Sequence, residues 1–147
     1  MGLPVIWCPG QYADQMDRDE ICSILEFTHI LIGNTHEISH LRRHGDLSRQ
    51  WLIETAGSEP VTLFAPDQWD QHPIKVPVPD AFNPIDPTGC GDALLAGFVH
   101  HLVAASADCK APVLSQLIPA VEAGIRLARA CLGESGSQAH SVAAILE

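Results

Sequence analysis

Asp86-Pro87-Thr88-Gly89-Cys90-Gly91-Asp92-Ala93 runs directly into Leu94-Leu95-Ala96-Gly97-Phe98-Val99-His100-His101-Leu102. Two glycines one residue apart interrupt the chain just ahead of Leu94, Leu95, Phe98, Val99, Leu102 and Val103. That apolar spacing predicts one face of a helix over 92–105. A glycine loop opening a helix gathers unpaired backbone N–H groups at the positive end of the helix dipole. Such a place suits an anion, phosphate above all. Asp92 brings a negative charge into that site, which makes chemical sense if its carboxylate faces a hydroxyl that must attack the phosphate. Taken alone, Gly-x-Gly-Asp before a helix is also what an aspartate N-cap looks like.

Upstream of this loop the chain alternates. Pro4-Val5-Ile6-Trp7-Cys8 reads as a buried strand ended by a Pro9-Gly10 turn. Asp17 to Phe27 has Ile21, Ile24 and Leu25 at helical spacing, with Asp17 or Asp19 available as cap. His29 to Gly33 is a second strand, Thr35 to His44 a helix with Ile38 and Leu41 on its apolar side, and Trp51 to Thr55 a third strand. Strand, helix, strand, helix, strand implies parallel pairing through right-handed crossovers, with the loops at the strand C-ends open to ligand. Val61 to Ala65, after Pro60, reads as an antiparallel partner of the third strand. Residues 66 to 85 hold five prolines and are expected to be extended or irregular without a helix. Helices are expected at 92–105, at about 113–132 and, shorter, from Ser137 to Leu146.

Composition limits the function. A chain of 147 residues, 46% apolar and 18% charged, is one soluble domain with a real core. A net charge of −10 without a basic run argues against nucleic acid. A nucleotide phosphate stays compatible, because a helix N-terminus and Mg²⁺ supply the local positive field. Five cysteines, Cys8, Cys22, Cys90, Cys109 and Cys131, include no Cys-x-x-Cys pair and read as free thiols of a reducing compartment. With no apolar run of membrane-spanning length and no leader pattern, the expected location is the cytoplasm.

The Asp86–Ala93 stretch resembles the second signature of the PfkB/ribokinase family of sugar and nucleoside kinases, Asp-Thr/Pro-Thr-Gly-Ala-Gly-Asp-Ala-Phe. Here Cys90 stands for the small alanine and Leu94 for the phenylalanine. Two further stretches agree in order. Asn34-Thr35-His36-Glu37 is similar to that family's Asn-x-x-Glu, and Thr55-Ala56-Gly57-Ser58 to its Thr-x-Gly-x-x-Gly nucleotide loop, with Pro60 in place of the last glycine. Pro9-Gly10-Gln11 resembles the adenosine-kinase-like branch.

The resemblance implies a ribokinase-like three-layer α/β/α fold, of which 1–147 would be a single domain. That domain is the C-terminal, nucleotide- and phosphate-handling half, without the N-terminal half that carries the substrate contacts and lid. It implies ATP-dependent transfer of the γ-phosphate to a hydroxyl of a sugar or nucleoside. Gly89, Cys90 and Gly91 would form the anion hole and Asp92 the general base. Thr55, Gly57 and Ser58 would border the nucleotide, as would Gly124 on a small-residue helix. Asn34 and Glu37 would hold Mg²⁺ indirectly, and Asp86 and Thr88 a monovalent cation such as K⁺. The expected partner is a small sugar or nucleoside acceptor. A half-fold also leaves a sheet edge at the first strand, open to a dimer mate or a complementing chain.

Two other readings are carried. One is a truncated, catalytically silent relative that binds nucleotide or a partner. The other is a zinc hydrolase, because His36-Glu37-Ile38-Ser39-His40 fits His-Glu-x-x-His, two histidines one turn apart with a glutamate to activate water. A solvated helix face carrying His36, His40 and His44 is the plainer reading of the same residues. His100-His101 is expected at an exposed turn, and Trp7 and Trp51 in the core. Cys90 at a helix start could have a lowered pKa, although its place as an alanine substitute needs only its small size.

Overall fold

The computed structural model describes residues 4–68, 72–80, 85–105, 112–133 and 135. They fall into two compact units, Met1–Pro77 and Val78–Glu147. The Ser137–Leu146 helix, Trp69 and Cys109 lie outside the described residues.

The first unit is a five-stranded mixed sheet in the order β1-β2-β3-β4-β5. Its strands are β1 (Ile6–Trp7), β2 (Ile30–Asn34), β3 (Trp51–Ala56), β4 (Glu59–Phe64) and β5 (Ile74–Val76). β1, β2 and β3 run parallel, with Ile6 beside Ile30 and Ile32 beside Ile53. β4 returns antiparallel to β3, and β5 antiparallel to β4. Ile30, Leu31, Ile32, Leu52 and Ile53 are all buried, so β2 and β3 are covered on both faces, as continuous apolar runs in parallel strands require.

Helices α1 (Arg18–Leu25) and α2 (Thr35–His44) make the two crossovers. Each begins at a capping box. Asp17 Oδ1 accepts from the Glu20 amide and Glu20 Oε2 from the Asp17 amide, at 2.9 and 3.0 Å. Of the two expected caps for α1, Asp17 is the one used. Ile21, Leu25, Ile38 and Leu41 from these helices join Leu31, Leu47 and Leu52 in one cluster, against which Trp7, Met16 and Phe64 pack. Trp7 and Trp51 are half-buried rather than core residues, because both stand at strand ends near the sheet margin.

Four local expectations are corrected or extended. The chain does not simply turn after Pro9-Gly10 but winds through a 3₁₀ helix, Gly10–Gln15, with Gly10 at φ 63° and Ala13 buried. Pro60 lies inside β4 instead of before it. It is tolerated there because β5 pairing stops at Val61 and the β3 register shifts at the same level, between Glu54 and Ala56. The proline-rich stretch contributes a strand, β5. Asp92 is not an N-cap, as shown below.

The second unit is built on α3 (Cys90–Ala105) and α4 (Leu114–Leu132). They cross closely because glycines meet there. A Cβ on Gly97 would stand 2.7 Å from the Ala123 carbonyl oxygen, and one on Gly124 2.6 Å from that of Leu94. Leu94, Phe98 and Leu102 are buried as the spacing predicts, but Val103, one position round the helix from Leu102, is 69% exposed. His100 is exposed and His101 half-buried. At the start of α4 the Gln116 side chain reaches back to accept from the Val113 amide at 3.1 Å.

Candidate active site

In the second unit hydrogen bonds hold the loop ahead of α3. Asp86 Oδ1 accepts from the Thr88 amide at 2.9 Å, an Asx turn. The Cys90 amide donates to Pro87 at 3.2 Å, closing a turn with Gly89 at φ 82°. A positive φ at the third turn position requires glycine in practice. The Ala93 amide donates to the Gly89 carbonyl at 2.8 Å, so the helix starts at Cys90 and Asp92 stands in its first turn rather than at its cap. Cys131 Sγ then donates to the Thr88 carbonyl at 3.4 Å.

The resulting amide set differs from a simple three-residue cradle. The Cys90 N–H is already committed to Pro87, whereas among the described residues the amides of Gly89, Gly91 and Asp92 donate to nothing. Gly91 and Asp92 are exposed. A Cβ on Gly91 would meet nothing within 4 Å, so its open space is on the solvent side of the helix start. The sixteen-residue α3 points its positive end there. The arrangement suits an anion carried on amides, with a carboxylate beside it.

Cys90 has the opposite electrostatics to a reactive helix-start thiol. Burial, then a hydrogen bond with the Cys131 thiol, push its pKa up to about 11. The lowered pKa considered from sequence is therefore overturned, because desolvation and a neighbouring thiol outweigh the helix dipole. The C-terminal end of α4 supports the loop in ways no local pattern revealed. The Ile85 amide donates to the Leu132 carbonyl at 2.8 Å, and Arg129 Nη2 to the Asp80 carbonyl at 2.8 Å. Cys131 had signified only a free thiol in the sequence, since its partners are 41 to 43 residues earlier.

Gly124 is buried at the α3 crossing. Its missing side chain is explained by the backbone of Leu94 and needs no ligand.

In the first unit Asn34 and Glu37 come together at the start of α2. The Asn34 side chain accepts from the Glu37 amide and donates to Glu37 Oε1, while Oε2 of Glu37 accepts from the Asn34 amide, all at 2.9 Å. Thr55 lies beside Asn34 in the β2–β3 register. Its Oγ1 donates to the Gly33 carbonyl and its own carbonyl accepts from Thr35 Oγ1, both at 3.4 Å. Gly57 and Ser58 form the exposed two-residue connection of the β3–β4 hairpin. Gly57 has φ 63°, the first-position glycine that tight hairpins favour. Both Glu37 oxygens already accept one bond, which leaves lone pairs on each. That donor set fits a hydrated cation met through water better than a direct ligand.

The zinc constellation does not assemble. His36 Nε2 lies 2.8 Å from Asp14 Oδ2 and His40 Nδ1 3.5 Å from Oδ1, so both rings turn to one carboxylate of the 3₁₀ helix. Glu37 faces Asn34 instead. Among the described residues no three His, Cys, Asp or Glu side chains group to hold a metal. The solvated-face reading is corrected in part as well. His36 is 74% exposed, but the His40 side chain is only 12% exposed and stacks near His44 at 4.6 Å between centroids. No helix among the described residues is long and apolar enough to cross a membrane.

Residues 5–144 match the family described as pfkB family carbohydrate kinase. A nucleoside kinase of Methanocaldococcus jannaschii is 33% identical over 102 residues, a match covering 65% of this chain and 32% of that protein. The crystal structure of the M. jannaschii nucleoside kinase, described as an archaeal member of the ribokinase family, superposes with a TM-score of 0.78 at 25% identity. That superposition covers 97% of this chain and 48% of the other. A Burkholderia thailandensis nucleoside kinase in complex with ADP-inosine gives a TM-score of 0.78 at 21% identity, over 98% of this chain and 45% of that one. The chain thus spans less than half the length of these relatives, and its mixed sheet and helices have the ribokinase-like α/β fold. With the match running almost from end to end, the chain belongs to the pfkB family of carbohydrate kinases.

Proposed function

We propose that this chain handles the phosphates in an ATP-dependent kinase that phosphorylates a hydroxyl of a nucleoside or sugar. The observation that carries the reading is the helix start at Gly89–Asp92, with amides free to meet an anion and an exposed carboxylate in the first turn. Family membership and the nucleoside kinases among its relatives favour a nucleoside acceptor. ATP, when bound, supplies the transferable γ-phosphoryl group. Amides of Gly89 and Gly91 bind the phosphoryl oxygens, Cys90 contributes backbone shape, and the α3 dipole offsets developing charge. Asp92 accepts the acceptor hydroxyl's proton on a carboxylate oxygen. Thr55, Gly57 and Ser58 border the nucleotide. Asn34 and Glu37 orient water around Mg²⁺, and Asp86 with Thr88 offers oxygens to K⁺. The chain acts as one phosphate-handling domain, and a nucleoside is its small-molecule partner.

The test is ATP consumption by the full chain over a panel of nucleosides and sugars, repeated with Asp92→Asn. Loss of a general base lowers turnover by about 10²–10⁴-fold with nucleotide binding retained. Undiminished turnover in Asp92→Asn overturns the assignment. The short span relative to the family members also favours a second reading, a nucleotide-binding domain without catalysis. ATP-induced thermal stabilisation with no turnover on any acceptor supports that one.

A further inference from the structure

We propose that Cys90 and Cys131 form a reversible disulfide that ties the glycine loop to the end of α4 and switches off anion binding at the loop. The bond itself follows from the side chains, while the switch rests on the anion-binding reading above.

The two residues are far apart in sequence, yet Cys90 packs against the cluster that contains Cys131, and the Cys131 thiol helps to raise the Cys90 pKa. They pack in one cluster with Ala93 and Leu127. Each also touches the loop. Cys90 lies between Gly89 and Gly91, and Cys131 Sγ donates to the Thr88 carbonyl at 3.4 Å. A sulfur–sulfur bond here therefore acts on the loop directly. It removes the S–H that holds Thr88, and it pulls the central loop residue towards α4.

Exposure sets an order for the chemistry. Cys131 is fully buried, whereas Cys90 is partly exposed. A small-molecule disulfide such as oxidised glutathione meets Cys90 first. Cys90 loses its proton to solvent and its thiolate attacks one reagent sulfur, expelling a thiolate that takes up a proton. Cys131 then gives up its proton and displaces the second small thiol. The protein is oxidised by loss of two hydrogens, and the reagent is reduced to two thiols. Because Cys90 deprotonates only near pH 11, its reaction should be slow at neutral pH and rise about tenfold per pH unit below that value. Exposed Cys8 and Cys22 provide internal comparisons in the same chain.

The experiment treats the folded full chain for a long incubation with oxidised glutathione at about pH 9, where only a small fraction of Cys90 is thiolate, and maps its peptides without reduction. The expected result is a cross-link between the Cys90 and Cys131 peptides and loss of the ATP-induced rise in Tm, both reversed by dithiothreitol. Cys131→Ser keeps a donor for Thr88 and forms no cross-link, so its oxidation stops at the mixed disulfide of Cys90 with glutathione. In the parent chain, recovery of Cys90 as a free thiol, capped by glutathione or joined to another cysteine overturns the bond. A cross-linked chain that still responds fully to ATP overturns the switch. A reduced chain without any ATP response overturns the anion-binding reading and the switch with it, while the peptide map separately decides the bond.

Discussion

Asn34 and Glu37 hold each other through three hydrogen bonds of 2.9 Å, two of them closing the first turn of α2 and the third joining the side chains. A residue pair that resembles a cofactor-handling motif is therefore also the nucleation point of a helix. Glu37 is half-buried and its two oxygens face inwards to Asn34, which makes structure the first thing any substitution there disturbs.

Glu37→Ala removes the reciprocal half of the box and should destabilise the chain by about 0.5–2 kcal/mol, while Glu37→Gln, still an acceptor, should lose less. Urea unfolding of both variants measures this. If ATP-dependent stabilisation in the presence of Mg²⁺ falls equally in both, the carboxylate charge matters beyond the cap.

The helix crossing offers a cleaner separation of packing from function. Gly97→Ala and Gly124→Ala each drive a Cβ within 2.7 Å of a backbone carbonyl, which cannot move aside as a side-chain tip can. Each should cost about 1–3 kcal/mol as overpacking. Gly91→Ala meets open space and should leave unfolding within about 0.5 kcal/mol of the parent. A loss of ATP response in Gly91→Ala, with unfolding unchanged, then reports on the loop itself.

Asp14 should make the chain acid-sensitive. A hydrogen bond from His36, helped by the charges of His40 and Arg43, holds its carboxyl below the ordinary 3.8. A carboxylate with a lowered folded-state pKa contributes stability above its unfolded value, and that contribution is lost as pH falls through the folded value. Asp14→Asn should lower Tm slightly at neutral pH, where the carboxylate contributes, and flatten its fall below pH 3.8. The Asp14 side chain is 52% exposed, and screening by solvent keeps the effect small.

Cys90 predicts the mirror image at high pH. Its folded-state pKa, raised from 9.0 to about 11, means that stability is complete below 9.0 and is lost as pH rises through 11. Cys90→Ala should show a shallower alkaline decline in Tm. In the parent chain at about pH 8, Cys90 should react with iodoacetamide well after exposed Cys8 and Cys22, as mass mapping of the labelled peptides would show.

Much of this was written locally. Apolar runs specified β1 to β4 and both crossover helices, and Asp17 was one of two caps read for the first, because hydrophobic period and capping need only neighbouring residues. The glycine loop was legible for the same reason, since its turn demands glycine at Gly89 and its helix begins within the next residue. Tertiary structure alone decided what stands behind these elements. It turned His36 and His40 to Asp14, buried Gly124 against Leu94, placed Cys131 under Thr88, and raised the Cys90 pKa by desolvation. Each of those facts joins residues separated by 22 to 43 positions or depends on water being excluded by distant chain. No periodicity or motif encodes such contacts; only closure of the fold brings the groups within range.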